Sequence, residues 1–206
     1  VDSREKHVWA IKQACKTAEY KNFEDNILPH VDGDFLSQCS TKRLDTLLTT
    51  ATKCAMWHMV HKVLKVVDSR EKHVWVIKQA CKTADYKDFE DYILPHVDGD
   101  FLSQCSTQQL DTLLTTATTR GLWHMVHRVL KVVDSHEKRV WVIEQACKTA
   151  DYKTFTDYIL PHVDDDFLSQ CSTQQVDTLL TTARRRGLWN VVVDRLLKAG
   201  GSHEKR

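Results

Sequence analysis

The sequence predicts an all-α fold, an α-solenoid of three 66-residue repeats, each two helical hairpins plus a short helical turn. Three observations predict it. Apolar residues fall at helical spacing, no segment alternates with period two over a strand's length, and the chain repeats itself. Val1, Val67 and Val133 open three copies, spanning 1–66, 67–132 and 133–201. Residues 202–206 read as the start of a truncated fourth, because Ser202–Arg206 matches Ser135–Arg139. Pro29, Pro95 and Pro161 keep the period, as do both tryptophan sets: Trp9, Trp75, Trp141 and Trp57, Trp123, Trp189. Copies one and two differ at only eleven positions. Stacked copies share one continuous core and need no domain boundary between them.

Each element follows in order. Asp2 with Glu5 forms a capping-box pattern. The first helix then puts Val8, Ile11, Cys15 and Ala18 on one face, with Lys12 and Lys16 on the wet side. A second helix runs from about Tyr20 to Leu28, and Pro29 ends it, since proline disfavours a helical residue before it. Asp32–Asp34 is a turn, and Phe35, Leu36 and Cys39 form a single helical turn. Ser40 caps the third helix, with Gln109 and Gln175 at the capping-box partner position in the later copies.

The final hairpin is clearest in copy two. Leu110, Leu113, Leu114 and Ala117 make one apolar face, Gly121 ends the helix, and Leu122, Trp123, Val126, Val129 and Leu130 make the facing stripe. The six tryptophans sit in apolar stripes and read as core or inter-repeat packing.

Shifted by 36 residues, the apolar positions of the first hairpin fall on those of the second, so each copy reads as two related hairpins. Thr112–Gly121 followed by Met125–Leu130 resembles the ankyrin helix pair, Thr-Pro-Leu-His-x-Ala-Ala-x-x-Gly then Val-Val-x-x-Leu-Leu. Leu113 stands where that family has proline and Thr115 where it has histidine. The resemblance implies an ankyrin-like or other α-solenoid stack used for protein–protein interaction.

Composition bounds the function. Apolar residues are 42% and charged residues 28%, as in globular chains. Lys plus Arg is 29 against 28 Asp plus Glu, so no overall field draws the chain to nucleic acid. No apolar run approaches the ~20 residues that span a bilayer.

The seven cysteines suit buried helix contacts. In an extracellular protein Cys15–Cys39, Cys81–Cys105 and Cys147–Cys171 would bridge, but the odd Cys54 favours a cytoplasmic setting. Cys54, His58 and His61 share one helix face and form a weak candidate metal set, yet copy two has Arg120 for the cysteine and copy three has Asn190 and Val193 for the histidines. The aspartates at 32/34, 98/100 and 164–166 read as caps and turns rather than calcium ligands. The scattered glycines make no nucleotide loop. Three near-identical copies suit an enzyme poorly, because one active site converges different residues on one cleft.

The expectation is therefore a non-enzymatic scaffold without cofactor. Its partner-facing positions are the polar differences Asn22/Asp88, Asn26/Tyr92, Lys42/Gln108 and Arg43/Gln109. The alternative is a structural array that self-associates end to end into a filament.

Overall fold

The structure, a computed structural model, describes residues 3–195. It is helical, with no strand among the described residues. The capping-box Asp2 and the fourth-copy residues 202–206 lie outside the described residues. The chain divides into two compact units, 1–101 and 102–206, so the division falls inside copy two.

Unit 1 begins with α1 (Ser3–Thr17), α2 (Tyr20–Asn26), a 3₁₀ turn at Leu28–His30 and α3 (Gly33–Ser37). It continues with α4 (Thr41–Lys53), α5 (Trp57–Leu64), α6 (Arg70–Thr83) and the short α7 (Tyr86–Asp88). A π-helical turn at Phe89–Ile93 and a 3₁₀ turn at Leu94–His96 follow, and α8 (Gly99–Ser103) leads out. α1 packs on α4, α4 on α5 and α6, and α5 on the π turn. Phe23, Leu36, Leu47, Leu48, Met59, Ile77 and Phe89 are fully buried. The unit thus closes by burying one stripe of each helix.

Unit 2 holds α9 (Thr107–Arg120), α10 (Trp123–Leu130), α11 (His136–Thr149), α12 (Tyr152–Thr154) and a π turn at Phe155–Ile159. After a 3₁₀ turn at Leu160–His162 come α13 (Asp165–Gln170), α14 (Thr173–Arg185) and α15, residues 189–195. α11 packs on α9 and α14, and α10 on the π turn, around Leu113, Met125, Ile143, Phe155 and Ile159.

The caps follow sequence chemistry. Ser106 Oγ accepts from the Gln109 N–H at 3.2 Å, and Gln109 Oε1 accepts from the Ser106 N–H at 2.8 Å; Ser172 and Gln175 repeat this. Asp32, Asp98 and Asp164 each accept from the N–H three residues on at 2.8 Å, so these aspartates are N-caps. In the hairpin, Gly121 N–H donates to the Thr118 carbonyl and Leu122 N–H to that of Ala117, a Schellman closure with Gly121 at φ 69°. Ala55 closes the same motif in copy one with a side chain present, at φ 55°.

Two expectations change. The second helix does not run to Leu28: α2 stops at Asn26, and the proline lies inside a 3₁₀ turn. Without an N–H, proline cannot continue the α ladder, so the chain tightens around it. In the later copies the same segment widens into a π turn, where Leu94 N–H reaches back five residues to Phe89.

Not all tryptophans are core. Trp57 is 1% and Trp123 7% exposed, whereas Trp9 is 63% and Trp189 38% exposed, and Trp75 and Trp141 are half-buried. Trp9, Trp75 and Trp141 sit beside the buried face of their helices, at one residue's rotation from Val8, Val74 and Val140.

None of the seven cysteines is in a disulfide, and Cys15, Cys39, Cys81 and Cys147 are buried, as expected of cysteines at helix contacts. Instead of bridging to Cys39, Cys15 Sγ donates to Met59 Sδ at 3.6 Å.

Candidate functional site

Within unit 1, α5 is held from two sides. His58 Nδ1 lies 2.9 Å from Glu24 Oε2, and Lys62 Nζ donates to the Leu28 carbonyl at 3.1 Å. On the other side the His58 ring stacks on Tyr92, with centroids 4.8 Å apart and planes at 12°. His61 Nδ1 lies 3.1 Å from the Tyr92 carbonyl and 3.0 Å from His96 Nε2. A carbonyl only accepts, so His61 Nδ1 carries the proton and His96 Nε2 presents its lone pair. His73 completes the cluster. Its Nδ1 donates to the Ser69 carbonyl at 3.0 Å, and its ring lies 6.2 Å from His96 and 6.1 Å from Phe101.

Unit 2 builds the same joint from the next residues in the period. His124 stacks on Tyr158 at 5.0 Å, His127 Nδ1 donates to the Tyr158 carbonyl at 3.0 Å, and His162 Nε2 lies 3.0 Å from His127 Nδ1. Arg139 replaces His73 and donates from Nε to the Val133 carbonyl at 3.1 Å. The π turn brings both joints about, because it sets the Tyr92 and Tyr158 carbonyls against the histidine of the packed helix. Burial, then the facing histidine, holds His96 and His162 down to about 4.

The same surface in copy one has different occupants. Asn26 stands where the joint has Tyr92, and its amide donates to Asn22 Oδ1 at 2.6 Å. His7, Ala10, Ile11, Ile27, His30 and Phe35 line an open groove of about 480 Å³ there. The matching α15 positions carry Asn190 and Val193 in place of the two joint histidines.

The candidate metal set does not converge. His58 turns to Glu24 and Tyr92, His61 turns to His96, and Cys54 is half-buried at the end of α4. Among the described residues no group of three His, Cys, Asp or Glu could hold a metal. The expected partner-facing positions divide. Asn22, Asn26, Lys42 and Gln108 are exposed, while Arg43, Asp88 and Gln109 are half-buried. Tyr92 is not a free surface residue, because α5 covers its ring. Gln109 is a helix cap.

The joint histidines were visible in the sequence as His58, His61, His124 and His127, but their partners His96 and His162 lie 35 residues further on, beyond any local pattern. Comparison with known proteins finds no family model that matches the chain, no matching curated protein and no matching solved structure.

Proposed function

We propose that the chain is a non-enzymatic repeat scaffold for protein–protein interaction, its three copies stacked as an α-solenoid of the ankyrin-like kind. One observation carries this reading: copies one and two keep most of their core, the changes Met56/Leu122 and Ala10/Val76 at positions buried in copy two staying apolar, and they also change at exposed polar positions on α4 and its counterpart. Lys42 against Gln108 and Lys53 against Thr119 alter charge without touching the core. A docking surface diversifies in this way, since the stack supplies an extended face and the side chains on it select the partner. Packed histidines and buried thiols are among the groups with displaced titration, which fits joints between helices.

The filament reading has the open groove at His7, Ile27 and Phe35 in its favour. Against it, Asn26 and Asn190 replace the stacking tyrosine and histidine that make the internal joints. Light scattering across concentration, with electron microscopy, separates the two readings. A monomer of 23.8 kDa at every concentration supports the scaffold. Regular filaments with a rise matching one copy would replace it with the structural array.

A further inference from the structure

Between α1 and α4 of copy one lies a groove of about 490 Å³, walled by Lys12 and Lys16 on one side and Lys42 and Lys53 on the other. A second recess of about 530 Å³, sharing Lys12 and Lys42, runs on to Trp9. One carboxylate lines the first recess, Asp45, and it is drawn away to Lys72 Nζ at 3.5 Å. None of these four ammonium groups has a carboxylate within salt-bridge distance among the described residues. Four like charges around one recess repel one another, and besides Asp45 only water and salt offset that in the unbound chain.

The charge is greatest in copy one. At these four positions it carries Lys12, Lys16, Lys42 and Lys53, a sum of +4. Copy two carries Lys78, Lys82, Gln108 and Thr119, a sum of +2, and copy three Glu144, Lys148, Gln174 and Arg185, a sum of +1. Two of the eleven differences between copies one and two add a cation to this one recess, while Cys54, also on its wall, stands where copy two has Arg120; with Asp45, Cys54 and their counterparts included, the lining sums to +3 in copy one, +2 in copy two and +1 in copy three. A third, Arg43 for Gln109, gives up half of the capping box: the Ser40 bond lengthens to 3.4 Å, and no glutamine returns to the cap. Copy one thus gains positive charge at a position where the later copies keep a stabilising cap.

We infer that this groove is the docking site for an acidic, extended peptide segment of a partner protein. The inference rests on the scaffold reading and gives it a site and a partner chemistry. Lys42 and Lys53 are eleven residues apart on one helix, about 16 Å. An extended strand covers that span in about five residues, so carboxylates on alternate residues meet lysines from both walls. Trp9, 63% exposed at the end of the recess, offers an apolar platform to a residue flanking the acidic run. A nucleic acid fits less well. The recess is one helix pair wide, Glu5 and Asp45 edge it, and the chain as a whole carries a net charge of only +1.

The test is fluorescence anisotropy with a labelled peptide of about eight residues, alternating glutamate and serine with one terminal phenylalanine, sized to the helix span. The control is the same peptide with glutamine for glutamate. The expected result is saturable, salt-weakened binding of the acidic peptide alone, reduced at least tenfold in the Lys42→Gln, Lys53→Thr double variant. Those are the residues copy two already carries there, so the fold accepts them, and circular dichroism confirms it. Binding should also quench Trp9 emission, and Trp9→Phe should remove that change. Equal binding of the glutamine peptide, or full binding by the double variant, would overturn the inference. So would tighter binding of a single-stranded oligonucleotide at the same lysines. If the peptide fails while the protein stays monomeric, the site is wrong and the scaffold reading stands; if the protein forms filaments, the scaffold reading itself falls.

Discussion

His96 Nε2 sits 3.0 Å from His61 Nδ1, with one proton between them, and that proton is shared with the carbonyl of Tyr92. His162 and His127 repeat the relationship in unit 2. Protonating His96 would turn a lone pair into an N–H pointed at another N–H. His73 and Lys65 also face it unfavourably, and only Asp98 favours its charge; for His162 the corresponding groups are Arg139, Lys131 and Asp164.

Folding stability should therefore depend on pH in a defined window. Both histidines titrate near 4 when folded and near the ordinary 6.5 when unfolded. Between those values the unfolded chain binds more protons, so the stabilisation is full above pH 6.5 and is lost as pH falls towards 4. Urea midpoints measured from pH 7.5 to 4 should fall steadily through that range. The His96→Asn, His162→Asn variant should flatten the slope while lowering stability at neutral pH. A profile as steep as the parent's would show that other groups govern it.

The left-handed hairpin corner predicts a pair of opposite effects. Ala55 holds φ 55° with a Cβ, which costs about 1 kcal/mol, whereas Gly121 holds φ 69° without strain. Ala55→Gly should stabilise by about 0.5 kcal/mol, the relief being partly offset by the greater freedom of glycine in the unfolded chain. Gly121→Ala should destabilise by about 1 kcal/mol through its backbone alone, since its Cβ would meet Trp123 Nε1 at an ordinary 3.6 Å. Chemical denaturation reads both, and two shifts of the same sign would refute the account.

Exchanging the joint residue between copies tests the joint. Tyr92→Asn and Tyr158→Asn each remove a ring stacked on a histidine and should cost about 1–2 kcal/mol. Asn26→Tyr, at an exposed position, should change stability little. Equal costs at all three positions would mean that the stacking contributes nothing.

Thiol reactivity should follow burial. Cys15, Cys39, Cys81 and Cys147 are buried, and burial pushes Cys15 and Cys147 up to about 12. Cys54, Cys105 and Cys171 are half-exposed. Ellman's reagent at pH 8 should therefore titrate three of the seven thiols in the folded protein and the rest only on unfolding. Rapid reaction of Cys15 would contradict its place against Met59.

Much of the architecture was legible in the chain because it is local. Helical spacing, the serine and aspartate caps, and the glycine at the hairpin corner each involve residues within five positions of one another, and the structure forms the Ser106 and Ser172 boxes, the Asp32, Asp98 and Asp164 caps and the Gly121 corner. The 66-residue period is likewise a property of the sequence alone. The tertiary structure decided what depends on residues far apart. It turned Tyr92 from a surface position into the stacking partner of His58, gave His61 the proton that His96 receives, and left Trp9 exposed in a recess shared with Lys12 and Lys42. Near-identical copies share their local patterns, but each side chain's surroundings depend on the helix packed against it, and that helix comes from about 35 residues away.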